Sequence, residues 1–297
     1  GGSTNHIIQC PSGQCAVLNG GNTKLTPERA NTYSVGFTVR PSFLEGFTGS
    51  LDYFSIKQEN TISKIPLAFT LTQCLTTGNP TFCSNVVRNP SGILFGTSVA
   101  GGGYISGTAV NIGAGELNGI DLQATYNLPL SRLGLSDTLG DLQFNFIGSE
   151  LLKATTTPTP GAHTYDCAGL YGPTCQTVNP KWRHTLRASW QTPWNLLLSA
   201  QWRYIGKATL ESNTSDPTLT NGAQDTFDGT LRAVSYLDLA GIWKVNKALS
   251  IRAGVNNVFD KDPQILNSAI VGTGLPNAYP TYDFLGRAMF VGFTANF

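Results

Sequence analysis

The chain closes on Leu285-Gly286-Arg287-Ala288-Met289-Phe290-Val291-Gly292-Phe293-Thr294-Ala295-Asn296-Phe297. Leu285, Met289, Val291, Phe293 and Phe297 share one parity, while Gly286, Ala288, Gly292, Thr294 and Asn296 hold most of the other. Period two with one oily face is the pattern of a β-strand. A strand that stops on an aromatic residue with no polar tail is expected where a membrane-crossing strand meets an aromatic girdle. The stretch therefore predicts an all-β chain forming part of an antiparallel transmembrane β-barrel.

Composition agrees with that expectation. Only 12% of residues are charged, about half the share of an ordinary soluble domain, yet hydrophobic residues reach only 40%. A barrel that alternates lipid-facing and lumen-facing residues has few charges and a mean hydropathy near zero. No stretch approaches the roughly 18 consecutive apolar residues of a membrane helix. The net charge of +1 offers no basic patch for nucleic acid. Gly1 onward is irregular, polar and glycine-rich and does not read as a signal peptide, so either a leader has been removed or the chain begins partway through a longer protein.

Working back from the last strand, the same alternation marks eight more. Tyr33, Val35, Phe37 and Val39 open the series, and a less regular strand covers Phe47 to Ile62. Ile120, Leu122, Ala124, Tyr126 and Leu128 alternate strictly with polar partners, followed by Leu142, Phe144 and Phe146. Trp182, His184, Leu186, Ala188 and Trp190 oppose Arg183, Thr185, Arg187, Ser189 and Gln191. Leu196, Leu198, Ala200, Trp202 and Tyr204 follow across Thr192-Pro193. Leu237, Leu239, Trp243 and Val245, then Leu249, Ile251, Ala253 and Val255, form a hairpin about Asn246-Lys247. Trp182 and Trp190 lie eight residues apart, close to the roughly 9 to 11 residues of a tilted crossing. Indole rings prefer the membrane-water boundary, so the pair is expected to bracket an apolar band.

Short connections follow strands one, three, five and seven, and long ones follow two, four, six and eight. Outer-membrane barrels have this asymmetry, with short periplasmic turns and long extracellular loops. The segment from Ser63 to Val110 is expected to be one such loop, with Ile93 to Val99 as a minor strand. Six cysteines fall into close pairs in the loops: Cys10 with Cys15, Cys74 with Cys83, and Cys167 with Cys175. Local pairing is the simplest of the possible connectivities, and closing each loop contributes roughly 2 to 3 kcal/mol. Disulfides place the loops in an oxidising compartment.

The strand-turn-strand ending in Asn256-Asn257-Val258-Phe259-Asp260 resembles the penultimate hairpin of TonB-dependent outer-membrane receptors. Gly286-Arg287 leading to Phe297 is similar to that family's final strand. Thr26-Pro27-Glu28-Arg29 and Gly119-Ile120-Asp121 resemble further stretches of its barrel. The resemblance implies a barrel of about twenty-two strands with a plugged lumen. Residues 1–297 would then be its C-terminal portion, with the plug and earlier strands outside this chain. It also implies the outer membrane of a Gram-negative bacterium and a surrounding lipid bilayer. A periplasmic energy-coupling protein would act through the plug in uptake of a scarce nutrient: a siderophore, cobalamin, saccharide or peptide. The alternative is a plug-less porin-like channel or a surface-binding or adhesion barrel.

Catalytic chemistry is not expected, and neither is a cofactor or metal. The sequence has no phosphate-binding Gly-Lys-Ser/Thr, dinucleotide fingerprint or nucleophile elbow. His163, Asp166 and Cys167 read as a polar loop beside a disulfide, and His184 as a boundary residue. Ligand contacts are expected from Arg183, Arg187 and Arg203, which share the polar parity of neighbouring strands. Such arginines either steer an anionic substrate or pair with carboxylates. The loop aromatics Tyr104, Tyr165 and Tyr171 are candidates for stacking on a ligand.

Overall fold

A computed structural model describes residues 3–4, 7–8, 15–65, 67–96, 98–158, 162–220, 222, 224–267, 270 and 279–296. Cys10 and Phe297 lie outside the described residues, and with them the expected Cys10–Cys15 pairing and the terminal aromatic. The chain divides into two compact units. One comprises Gly1–Asn31, Gln58–Gly115 and Thr157–His163, and the other Thr32–Lys57, Glu116–Thr156 and Thr164–Phe297.

The second unit is organised by a sheet in which nine strands follow one another in sequence order. They are β1 (Arg29–Val39), β2 (Phe47–Glu59), β3 (Ala114–Pro129), β4 (Asp141–Thr157) and β5 (Trp182–Gln191). β6 (Leu196–Ile205), β7 (Val234–Lys244), β8 (Leu249–Asn256) and β9 (Ala288–Ala295) complete the path. All nine expected strands form, in the expected order. β3 and β4 run longer than their cleanest alternation, and β9 begins at Ala288 rather than Leu285 because Gly286 turns at φ +68°. β2 stops at Glu59, and Ile62–Ser63 pairs separately with Val110–Asn111.

Turn chemistry sets each short connection. Thr192 Oγ1 donates to Leu196 O at 2.8 Å, and Asn195 takes φ +56° before β6. Asn246 Oδ1 accepts from the backbone of Ala248 and Leu249, both at 2.8 Å, closing the β7–β8 hairpin. After β3, Pro129 leads into a 3-10 turn at Leu130–Leu133 that Gly134 ends in the left-handed region at φ +76°.

From β4 to β9 the register puts the apolar parity of each strand on one face. Leu142 opposes Trp190, Trp190 opposes Leu198, Leu198 opposes Gly241, Gly241 opposes Ala253, and Ala253 opposes Val291. Trp202, Leu239, Trp243, Met289, Val291 and Phe293 on this face are all exposed. An apolar patch of this extent marks a membrane-facing surface. Aromatic residues border it at both ends. Trp190, Trp194 and Trp243 stand at the turn end, with Trp190 Nε1 donating to Leu139 O at 2.9 Å. At the loop end His184 stacks on Tyr204 with ring centroids 5.0 Å apart and meets Trp202 edge-on at 4.6 Å. Trp182 Nε1 donates to His184 Nδ1 at 2.8 Å. The indole of Trp182 lies over Gly148, where a Cβ would come within 2.6 Å of the ring. Eight residues of strand between Trp182 and Trp190 cover about 26 Å, or about 20 Å once tilted, comparable to an apolar band of about 25 Å.

Buried side chains gather at the loop end of this unit, because a wall with lipid on one side and lumen on the other has no interior of its own. Tyr171, Ala208, Leu210, Leu231, Tyr236, Leu266, Tyr279 and Tyr282 form the main core. A three-stranded sheet supports it: Leu170–Tyr171 pairs parallel with Ala208–Leu210, which pairs antiparallel with Thr230–Leu231.

The first unit corrects the reading of Ser63 to Val110 as loop with a strand at Ile93 to Val99. Leu67–Thr77 is an α-helix, α1, and its Cys74 is joined to Cys83 at the end of the short helix α2, Pro80–Cys83. α1 is rich in β-branched threonine and has no charged residue in its first or last turn, so its local signal is weak. Its stability comes from the disulfide and from Leu67 and Leu71 packing on buried Leu94 and Ile105. Residues 93–96 form no strand, and Ser98 makes only an isolated bridge to Gly102. The short strands lie instead at Val17–Leu18, Val86–Val87 and Tyr104–Ser106.

Candidate functional site

The face opposite the lipid side is a polar ladder across neighbouring strands. Thr125 Oγ1 donates to Asn145 Oδ1 at 3.1 Å, and Gln143 Nε2 to Asn127 Oδ1 at 3.0 Å. Arg187 Nε donates to Gln201 Oε1 at 2.9 Å, and Gln201 Nε2 reaches Asp238 Oδ2 at 3.4 Å. Arg183, Arg187 and Arg203 do share this face, but their environments differ. Arg183 and Arg187 are exposed. Arg203 is held between two carboxylates: its Nε and Nη2 donate to Asp238 at 2.6 and 2.9 Å, and its Nη1 and Nη2 to Asp283 at 2.9 and 2.5 Å. Its guanidinium also lies 4.9 Å from the centre of the Tyr236 ring. The basic strip is thus partly neutralised, and Arg203 joins β6 and β7 to the end of the last loop.

The same network accounts for the Asn256–Asp260 and Gly286-Arg287 motifs. Asn257 is fully buried; its backbone N–H donates to Asp238 Oδ1 at 2.8 Å. Its side-chain amide accepts from Lys261 N and donates to Lys261 O, each at 2.9 Å. Val258 N donates to Leu237 O at 2.8 Å. Asp260 turns at φ +53°, and its Oδ1 accepts from Arg287 N at 2.7 Å. A Cβ on Gly286 would sit 2.8 Å from that carboxylate, so glycine is required both by space and by its positive φ. Phe259 is exposed. The motif is a clasp that holds the start and end of the last loop together.

Above β4 to β7 the loops pack by burying aromatics. Tyr171 is completely buried, its hydroxyl donating to Asp228 O and its ring meeting Tyr279 edge-on at 6.2 Å. Tyr165 is buried with Leu219 against the Cys167–Cys175 disulfide. Both rings are committed to loop packing and present little or no surface to a ligand. Tyr104 is half-buried in the first unit. Burial holds the phenols of Tyr171 and Tyr279 above their ordinary range and pushes Tyr282 up to about 12. Glu211 is buried too, its carboxylate accepting from Thr174 N at 2.8 Å and Cys175 N at 2.7 Å.

Two hollows open beside this core, of about 770 and 420 Å³, with Phe227 lining both. Sequence reading did not single out Phe227, Glu211, Asp238 or Asp283. Asp238 is one of many polar residues on its strand face and the other three lie in aperiodic segments, so nothing local marks them; what Asp238, Asp283 and Glu211 engage lies 19 to 80 residues away.

The fold and its two faces define a segment of an antiparallel transmembrane β-barrel. A family model described as "TonB dependent receptor-like, beta-barrel" matches residues 2–258, and the chain belongs to that family of receptors and transporters. Its fold is similar to that of a ferric enterobactin receptor mutant from Pseudomonas aeruginosa in complex with enterobactin. The TM-score is 0.57 at 19% identity, covering 95% of this chain and 34% of that one. It is also similar to the FrpB iron transporter from Neisseria meningitidis, at TM-score 0.51 and 15% identity, covering 95% and 32%. The chain therefore spans about a third of these proteins. No curated protein matches it by sequence.

Proposed function

We infer that residues 1–297 are the C-terminal portion of an outer-membrane receptor barrel that takes up a scarce nutrient by energy-coupled transport. The remaining strands and a plug come from the rest of a longer protein. A periplasmic energy-coupling protein acts on that plug, and the disulfide-bearing loops face the cell exterior. The observation that carries this reading is the sheet itself, an apolar face bordered by aromatics at both ends, with β1 and β9 as its edges and no further strand on either among the described residues. Each backbone group left unsatisfied in hydrocarbon costs several kcal/mol, so both edges require partners. Nine antiparallel strands in sequence order also leave β1 and β9 running the same way. An antiparallel closure therefore needs an odd number of further strands, and the remainder of a barrel of about twenty-two strands is odd.

The test is detergent extraction of the native protein, with intact mass, gel mobility before and after boiling, and uptake in cells with and without the energy-coupling protein. The expected result is a mass well above 31.7 kDa, anomalous mobility until boiling, and uptake lost without energy coupling. Extraction in plain buffer would overturn the membrane assignment, and a closed barrel of 31.7 kDa would overturn the reading of the chain as a portion of a larger barrel. Uptake that persists without energy coupling would replace the transporter with a plug-less channel.

A further inference from the structure

The loop between β6 and β7 carries a rigidly mounted aromatic. Asn213 pins its tip, its Oδ1 accepting from Asp225 N at 2.8 Å and its Nδ2 donating to Asp225 O at 2.7 Å. Asp225 Oδ1 in turn accepts from Phe227 N at 2.9 Å and Asp228 N at 2.8 Å. The adjoining backbone is anchored in the core, since Tyr171 donates its hydroxyl to Asp228 O. On this fixed turn the Phe227 side chain is 85% exposed. The ring is held between the two hollows and lines both.

The lining of the hollows states what they can hold. Ser212, Thr218, Gln224 and Thr226 line the larger one beside the apolar Leu210, Leu219 and Ile270, and Gln224, Thr226 and Thr230 line the smaller, where Asn213 is already bonded to Asp225 and Gln264 to Thr230 O. Hydroxyls and amides both donate and accept, which suits a ligand whose own groups do the same. Charge is scarce and unfavourable to anions. Glu211 and Asp225 are the ionisable residues of the larger hollow, and Asp225 and Arg232 those of the smaller. The carboxylates of Glu211 and Asp225 are already engaged by backbone N–H groups. Among the described residues lining the hollows Arg232 is the one cation, too few to bind a polyanionic chelate.

We propose that the Phe227 turn is the external binding site for a neutral, hydroxyl-rich ligand, an oligosaccharide. The ring stacks against the C–H face of a sugar, and the Thr and Gln side chains on either side bond its hydroxyls. This rests on the reading of the loops as the exterior of an outer-membrane receptor. It assigns a ligand class different from the enterobactin held by the Pseudomonas aeruginosa receptor of similar fold.

The experiment uses the full-length receptor in detergent. Fluorescently labelled neutral hexasaccharides from glucan, xylan, mannan and chitin serve as probes, with ferric enterobactin as the anionic comparison. At least one hexasaccharide is expected to bind, with an affinity insensitive to ionic strength because no charge is involved. Phe227→Ala should weaken it about tenfold, and Thr226→Val combined with Gln224→Leu should weaken it further. All variants should keep wild-type gel mobility before boiling, because the altered side chains lie on a hollow surface. A receptor that shows normal heat-modifiable mobility but binds none of the four glycans overturns the proposal. So does ferric enterobactin binding that is salt-sensitive and lost in Phe227→Ala. A preparation lacking heat-modifiable mobility would instead refute the receptor reading on which it rests.

Discussion

Asp238→Asn tests whether the clasp at the end of the barrel holds the last loop. The carboxylate of Asp238 accepts from Arg203 Nε and Nη2, from Asn257 N and, more distantly, from Gln201 Nε2. The Asp238, Arg203 and Asp283 side chains are 13%, 26% and 23% exposed, so solvent screens the cluster only in part. A charge-assisted hydrogen bond contributes about 1.5 to 3 kcal/mol. Arg203 keeps Asp283 in the variant, so the loss is confined to one side of the guanidinium and to the weakened bond from Asn257 N, about 2 to 3 kcal/mol in all. The affected element is the loop from Asn257 to Arg287, and it opens locally rather than with the whole barrel. Hydrogen exchange on the full-length receptor should therefore speed up roughly 30- to 150-fold at the described amides of that loop. Those of β5 and β6 should be unchanged. Arg187→Ala, which removes an exposed partner of Gln201 on the same face, is the control and should leave the loop protected. Unchanged protection in Asp238→Asn, or equal loss in Arg187→Ala, would refute the clasp.

Gly148→Ala should displace the Trp182 indole, since its Cβ would lie 2.6 Å from the ring. A cost of about 1 to 3 kcal/mol and altered tryptophan fluorescence are expected, and an unchanged spectrum would count against the aromatic border. Tyr282 is held at about 12 against an ordinary value of 10.0, so the folded loop core binds more protons than the unfolded chain between those values. Its contribution to stability is complete below the lower value and lost as pH rises through the upper one. Tyrosinate absorbance should rise in two stages, the second coinciding with loss of loop protection, and a single stage would contradict the buried core. Replacing Cys167 and Cys175 together by serine should cost the loop about 2 to 3 kcal/mol. Limited proteolysis within residues 165–178 reads this out, and wild-type resistance would show that the disulfide is dispensable.

Alternation of residue type was enough to read nine strands, their order and which parity meets lipid. These follow from a period-two rule that operates within a few residues. Loop lengths likewise carried the distinction between the two ends. The helix at Leu67–Thr77 escaped because threonine-rich sequence with no charged end has little helical preference, and its disulfide partner lies outside it. The Asn256–Asp260 motif was legible as a resemblance, but its physical role required Asp238 from β7 and Arg287 from beyond the loop. Tyr165 and Tyr171 looked available as loop aromatics, and only tertiary packing shows that they are buried. Phe227, of the same residue class and likewise in a loop, stands exposed because Asn213 and Asp225 hold its turn in place. Strand identity and facing were thus determined by the sequence alone, because they depend on neighbours along the chain. Which loop side chains are exposed, and which charges are already paired, was decided only by the tertiary structure, because those contacts join residues with no periodic relation.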